Sequence, residues 1–275
     1  MTARAGIILA AGQGTRMKSA KPKVMHEVAH LPLLGHVIAA MKGAGIARIV
    51  VVTAPAADEV RAFAKSLGAE SVVQDKQLGT GHAAACAAPA LKDFYGVLIV
   101  SYGDMPLVTS KTFEDSFAAR EKAGMAIVAF HSESKAYGRV IVDDGFLYRI
   151  VEYKDADEHQ RAVKLCNAGI MAADARKFFQ WAGKLENNNS QKEFYLTDIP
   201  TFAHEDGGNC AVVEAEEREM MGVNSRAELA ACEGVMQQRL RAKLLNDGVG
   251  MLAPDTVYLA HDTVIEADAQ IGPYV

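Results

Sequence analysis

The chain has 275 residues, half of them hydrophobic and 23% charged, with a net charge of −5. That balance belongs to a globular protein with a sizeable core, of one large domain or one plus a fragment, and excludes a disordered or fibrous chain. No basic surplus is available for a nucleic-acid partner, and no apolar stretch reaches the roughly 18 residues of a membrane span.

Ile7 to Ala11 is a continuous apolar run that stops at Gly12, as a central parallel strand does. It is too short for the core of a signal peptide, and it breaks at once into a Gly-rich, basic stretch. A helix is predicted over Leu34 to Met41, and a β-branched strand over Arg48 to Thr53. Asp58 to Leu67 carries Val60, Phe63, Ala64 and Leu67 at helical spacing, with Gly68 placed to end the helix. A short strand over Ser71 to Gln74, an Ala-rich helix over His82 to Leu91 and an apolar strand over Gly96 to Tyr102 follow. This alternation predicts an α/β fold with a parallel sheet covered on both faces. Ligands of such sheets bind at the carboxyl ends of the strands, so Gly12 and Asp104 are expected at one crevice.

Further on, Arg139 to Asp143 and Phe146 to Glu152 flank Asp144-Gly145, a hairpin signal. Gly169 to Ala172 and Ala211 to Glu214 read as strands, and Ala175 to Leu185 as a helix. Ser225-Arg226-Ala227-Glu228 is a capping-box pattern that opens a long helix to about Leu245. Leu259, Ile265 and Ile271 then recur every six residues, the hexapeptide pattern of a left-handed β-helix. One coil cannot bury its own core, so the chain reads as a truncation of a longer protein. The expected units are a sheet domain over 1–225, a linker helix over 226–250 and the start of a β-helix over 251–275.

Three groups of residues carry chemistry. The first is Leu9-Ala10-Ala11-Gly12-Gln13-Gly14-Thr15-Arg16-Met17, followed by Lys18, Lys21 and Lys23. Glycines let backbone N–H groups approach an anion, and clustered cations suit a triphosphate. The spacing is neither the Rossmann G-x-G-x-x-G nor a Walker A loop. Taken alone, the glycines equally suit an ordinary turn; with the preceding strand and the cations they favour phosphate binding. The second is Tyr102-Gly103-Asp104-Met105-Pro106-Leu107, where a strand-end Asp suits a Mg2+ ligand and, taken alone, equally an ordinary turn Asp before a proline. The third is Gln74 with Gln77-Leu78-Gly79-Thr80-Gly81-His82, whose amide and loop backbone suit a pyrimidine edge, although Gly-Thr-Gly before a helix is also a normal N-terminal turn; His82 itself reads as structural. The four cysteines, Cys86, Cys166, Cys210 and Cys232, have no short C-x-x-C spacing, and the eight histidines show no metal-ligand spacing. Together these features predict a cytoplasmic protein.

These blocks closely resemble one family. L-A-A-G-Q-G-T-R-M, Lys21-Pro22-Lys23, Q-L-G-T-G-H-A and Y-G-D-M-P-L are similar to the uridyltransferase half of the bacterial bifunctional N-acetylglucosamine-1-phosphate uridyltransferase/glucosamine-1-phosphate acetyltransferases. The likeness continues through Tyr137-Gly138-Arg139, Val151 to Asp155, Asn167-Ala168-Gly169, Tyr195 to Asp198 and Gly222 to Arg226. It implies a Rossmann-like, three-layer nucleotidyltransferase domain, then a linker helix and a first β-helix coil. It implies that Leu9, Ala10, Ala11, Gly12, Gly14, Gln74, Gly79 and Thr80 hold a uridine nucleotide. Arg16 and Lys23 would serve as the catalytic cations on the triphosphate. Tyr102, Gly103 and Asp104 would line the nucleotide site, with Asp104 and Asn224 on Mg2+. Gly138, Glu152 and Asn167 would hold the sugar phosphate, with Tyr195 and Thr197 nearby. Implied substrates are UTP and N-acetylglucosamine 1-phosphate, and implied products are UDP-N-acetylglucosamine and pyrophosphate, in the supply of cell-wall precursors. The full-length family forms homotrimers through the solenoid; in this chain the acetyltransferase activity is expected to be absent. Two departures, Ala168 in place of a frequent hydroxyl residue and Phe194 in place of a frequent Tyr, bear on sugar selectivity.

Rival readings are a related transferase with another base or sugar, and a non-catalytic module. The module would be expected to lose Arg16, Lys23, Asp104 or Asn224, and all four are present. A metal-dependent glycosyltransferase would show Asp-x-Asp, whereas Asp104 is followed by Met105-Pro106.

Overall fold

The computed structural model describes residues 2–275. Strands β1 (Arg4–Ala10), β2 (Arg48–Thr53), β3 (Glu70–Val73) and β4 (Val97–Tyr102) are joined by helices and pair in parallel. Beyond them lie β5 (Gly124–His131), the hairpin β6 (Arg139–Asp143) and β7 (Phe146–Val151), the short helix α5 (Glu158–Ala162), then β8 (Leu165–Asp174) and β9 (Asn209–Glu214). The sheet order is β9-β5-β8-β4-β1-β2-β3, with the hairpin attached to β8. β8 runs antiparallel to both neighbours, β4 and β5.

Alternate residues of β1 serve opposite cores, which is why the strand is a continuous apolar run. Ile8 and Ala10 pack with Leu34, Val37, Ile38 and Met41 of α1 (Leu33–Gly43), Val60 of α2 (Asp58–Ser66) and Phe113 of α4 (Ser110–Ala123). Ile7 and Leu9 pack on the other face with Ala83 of α3 (Thr80–Ala85), Phe178 and Trp181 of α6 (Ala175–Ala182) and Ile199 of α7 (Ile199–Glu205). The result is the expected three layers, helices on sheet on helices.

The Ala-rich helix is shorter than expected. It ends at Ala85, and a separate 3-10 turn covers Ala88–Leu91 with Pro89 near its start. Proline has no N–H to continue the helix and disfavours helical backbone before it. Helix α6 likewise stops at Ala182 instead of Leu185, with Asp174 capping its start by accepting from the N–H groups of Arg176 and Lys177. Helix α4 and strand β5 escaped the periodicity. The helix carries Phe113, Ser116 and Phe117 on its buried face, and Gly124 at φ 92° turns it directly into the strand.

Helix α8 (Arg226–Asn246) opens on Ser225, whose hydroxyl accepts from the Glu228 N–H. It docks through Cys232 beside Met17, Val28, Leu33, Leu107 and Val223, forming a third small core. Its far half carries Gln237, which exchanges two hydrogen bonds with the backbone of Leu259, and Arg241, which donates to the Val257 carbonyl. In the last segment Gly250 and Met251 pair in parallel with Gln270 and Ile271. Leu259, Ile265 and Ile271, the hexapeptide positions, pack together with Leu244, Val249 and Val257. Among the described residues no helix is long and apolar enough to cross a membrane.

Candidate active site

A cleft of about 420 Å³ opens at the carboxyl ends of β1 and β4, where the sheet topology places a ligand. Leu9, Ala10, Ala11 and Gly12 form one wall, and Gln74, Gly79 and Thr80 another. Lys23, Asp104, Gly222 and Asn224 lie at one end, and Gly138, Glu152, Asn167 and Gly169 also line it. Blocks scattered over more than 200 residues thus share one cavity.

Each wall is fixed by local chemistry. Gln74 is 3% exposed; its amide nitrogen donates to the Gly79 carbonyl at 3.1 Å and to His82 Nδ1 at 2.9 Å. Both amide hydrogens are therefore engaged, and Oε1 remains as the acceptor. The Gln77 amide ties this loop to the Ala11 carbonyl at 2.5 Å. Backbone bonds from Gly81 N–H to the Phe194 carbonyl and from Phe194 N–H to the Leu78 carbonyl, both 2.8 Å, clasp it to the segment before Tyr195. Gly79 sits at φ 110°, and a Cβ there would lie 2.6 Å from the Phe194 oxygen. Only glycine allows that approach.

The opposite wall depends on a break in β8. Its pairing with β5 shifts register between Asn167 and Met171. Asn167 Oδ1 accepts from the Gly169 N–H at 3.0 Å, which turns the loop and leaves the amide nitrogen of Asn167 for the cleft. Gly169, at φ 74°, lies against the Tyr102 ring, where any Cβ would overlap it. Tyr102 is partly buried along the cleft, and that burial, with Glu152 and Asp104 nearby, pushes its phenol far above the usual range. Glu152 is also raised, chiefly by burial, while the Thr197 hydroxyl donates to its Oε1 at 3.1 Å and opposes the shift.

At the cationic end, Lys23 Nζ donates to Asp104 Oδ2 and to Asn224 Oδ1, the latter at 2.9 Å. A carboxylate and an amide oxygen thus converge on one positive charge. These are the hard oxygen donors Mg2+ prefers, and two protein ligands leave positions for phosphate and water, so the residues fit the expected ion. Val223 N–H donates to the Asp104 carbonyl at 2.9 Å, joining the two segments directly. Gly14, at φ 62°, lets its backbone lie close to the Lys23 stem; a Cβ there would be 2.7 Å from Lys23 Cβ.

Not every expected residue lines the cleft. Gly14 supports Lys23, and Gly103 donates its N–H to the Leu9 carbonyl. Arg16 is exposed on the turn Thr15–Met17 and does not reach the cavity. Thr197 and Tyr195 stand behind Glu152, lining a second groove; the Tyr195 hydroxyl accepts from Gln191 at 2.8 Å. Conversely, Met105, Tyr137, Glu193 and Met220 line the cleft without having been given a role there. Tyr137 adjoins Gly138 in a block already noticed, whereas Glu193 and Met220 gave no signal in the sequence.

The profile of the MobA-like NTP transferase domain matches residues 6–172. The chain is 44% identical over 272 residues to the bifunctional protein GlmU of Rhizorhabdus wittichii, covering 97% of this chain and 60% of that protein. It is 45% identical over 262 residues to the bifunctional protein GlmU of Ruegeria pomeroyi, covering 94% of this chain and 58% of that one. For the bifunctional protein GlmU of Agrobacterium fabrum the identity is 43% over 276 residues, with 98% and 60% covered. The chain thus spans about 60% of the length of these relatives. With the strand-end cleft, its convergent oxygen donors and a profile match over most of the sheet, the chain belongs to the family of MobA-like NTP transferase domains and is a nucleotidyltransferase.

Proposed function

We propose that the chain transfers UMP from UTP to N-acetylglucosamine 1-phosphate, forming UDP-N-acetylglucosamine and pyrophosphate. The observation that carries this reading is the single cleft that joins the Leu9–Gly12 wall and Gln74 to Lys23, Asp104 and Asn224, and these to Gly138, Glu152 and Asn167. The resemblance of the sequence blocks to N-acetylglucosamine-1-phosphate uridyltransferases supports the choice of nucleotide and sugar.

In this reading Ala10 to Gly12, Gly79 and the Gln74 carbonyl oxygen hold the uridine. Uracil offers an N3 hydrogen to an acceptor, where cytosine offers a lone pair, so an amide fixed with its oxygen free favours uracil. Lys23 neutralises the triphosphate, and Asp104 and Asn224 hold Mg2+. The metal, when bound, supplies Lewis-acid stabilisation of the phosphate oxygens. Arg16 is assigned to the outer face of the same anion, from the exposed turn beside the cleft. Glu152, the Asn167 amide and the Gly138 backbone hold the sugar, with Thr197 supporting Glu152 by its hydrogen bond and Tyr195 nearby.

The chemistry is a direct displacement. A phosphate oxygen of the sugar phosphate bonds to the α-phosphorus of UTP, the bond to the β-phosphate oxygen breaks, and pyrophosphate leaves. Such transfers need positioning and fixed positive charge and no protein nucleophile. We read residues 226–250 as a linker helix and 251–275 as the first coil of a left-handed β-helix, on the parallel ladder and the shared packing of the hexapeptide positions. The proposed setting is the cytoplasm, and the acetyltransferase step is outside the proposed activity of this chain.

Mass spectrometry of a reaction offered UTP, CTP, GTP and ATP together, with the sugar phosphate, tests the assignment. UDP-N-acetylglucosamine is the expected nucleotide sugar; a different nucleotide sugar as the main product would overturn the choice of base.

A further inference from the structure

Asn224 is a loop residue, yet its amide oxygen meets Lys23 at 2.9 Å opposite Asp104. What holds it there is legible in the first turn of α8. Glu228 Oε2 accepts from the Asn224 backbone N–H at 2.7 Å and from the Ser225 hydroxyl at 3.0 Å. Glu228 N–H in turn donates to Ser225 Oγ at 3.2 Å. The reciprocal bond therefore differs from the usual capping box, in which the carboxylate returns to the N-cap's own N–H. Here it reaches one residue further back, to the residue that carries the oxygen donor. The other side of the same residue is tied through Val223, whose N–H donates to the Asp104 carbonyl at 2.9 Å. The backbone of Asn224 is thus pinned between the segment of one donor and the helix behind it.

We infer that Glu228 is a positioning residue: its carboxylate, through the Asn224 N–H, sets the distance between the Asn224 and Asp104 oxygens and so the affinity for a divalent cation. The inference rests on the transferase reading, in which those two oxygens hold the metal. Glu228 acts by accepting a hydrogen bond, and its negative charge is incidental. A glutamine keeps that acceptor; an alanine removes it and leaves the Asn224 N–H without this partner.

The test counts Mn2+ bound to the full chain. Mn2+ is titrated in the presence of saturating UTP, and free ion is followed by its EPR signal against a protein-free UTP blank. Glu228→Ala is expected to weaken Mn2+ binding about fivefold, the size of one lost hydrogen bond, and Glu228→Gln to bind as the unaltered chain does. Ala227→Gly, an exposed neighbour that weakens the same helix turn without touching these bonds, controls for helix stability and is expected to leave Mn2+ binding unchanged. Unchanged binding by Glu228→Ala, while the unaltered chain binds Mn2+ above the blank, would overturn the role of Glu228 and leave the transferase reading standing. Equal weakening by Glu228→Gln would assign the effect to charge, and equal weakening by Ala227→Gly would assign it to the helix; either overturns the inference. No binding above the blank by the unaltered chain would overturn the metal site itself, and this inference with it.

Discussion

The Lys23 ammonium lies 2.9 Å from the amide oxygen of Asn224, although 201 positions separate them in sequence. The same ammonium bonds to Asp104, so three residues from three segments share one charge centre. A fixed cation at that point is what a developing phosphate charge needs. Lys23→Met keeps most of the length of the side chain and removes the charge. It should lower kcat by roughly two to three orders of magnitude, the usual loss for one preorganised donor, with little change in melting temperature. Pyrophosphate release and thermal denaturation measure the two effects separately.

Gly169 and Tyr102 fix the shape of the cleft between them. Gly169→Ala would force a Cβ into the Tyr102 ring at a backbone φ of 74°. Crowding alone costs about 1–3 kcal/mol, and a side chain at positive φ adds strain of about the same order. The melting temperature should fall by roughly 5 °C or more, and the KM for the sugar phosphate should rise. Both can be read on one purified variant.

Glu152 gives a prediction with a sign in pH. Burial raises its carboxyl above the ordinary range, so the folded protein holds the Glu152 proton at pH values where the unfolded chain has lost it. Stability from this group is therefore greatest below the unfolded value, about 4.3, and declines as pH rises toward the raised folded value. Glu152→Gln removes that penalty. It should raise the melting temperature at pH 7.5 more than at pH 4.5, while weakening the sugar phosphate KM at pH 7.5. Melting curves at the two pH values give the comparison.

His82 holds the Gln74 amide by accepting from it at 2.9 Å. His82→Ala frees the amide to rotate and present either end to the base. Selectivity for UTP over CTP, taken as the ratio of kcat/KM values, should fall by roughly tenfold, the worth of one hydrogen-bonding preference in a buried site.

Much of this site was legible in the sequence because its parts sit where strands end. Gly12, Gln74 and Asp104 each follow a β-branched or apolar run, and a parallel sheet brings such ends together whatever their separation. The Ser225–Glu228 pattern likewise announced helix α8. Less local features were hidden. The register shift in β8 that turns Asn167 inward depends on pairing with β5, a strand not foreseen. Helix α4 carries its buried residues amid seven polar or charged ones, so its amphipathic stripe is weak. Arg16 shares its motif with the cleft residues, yet the 3-10 turn at Thr15–Met17 buries Met17 and leaves Arg16 outside. Glu228 looked like a helix cap; its bond to the Asn224 N–H shows only in three dimensions.

The most direct measurement is pyrophosphate release from the chain with UTP, N-acetylglucosamine 1-phosphate and Mg2+, each omitted in turn, with EDTA as a further arm. Release that requires all three and stops with EDTA is the predicted result. No release from folded protein that binds UTP, or release indifferent to the sugar phosphate, would contradict the proposed reaction.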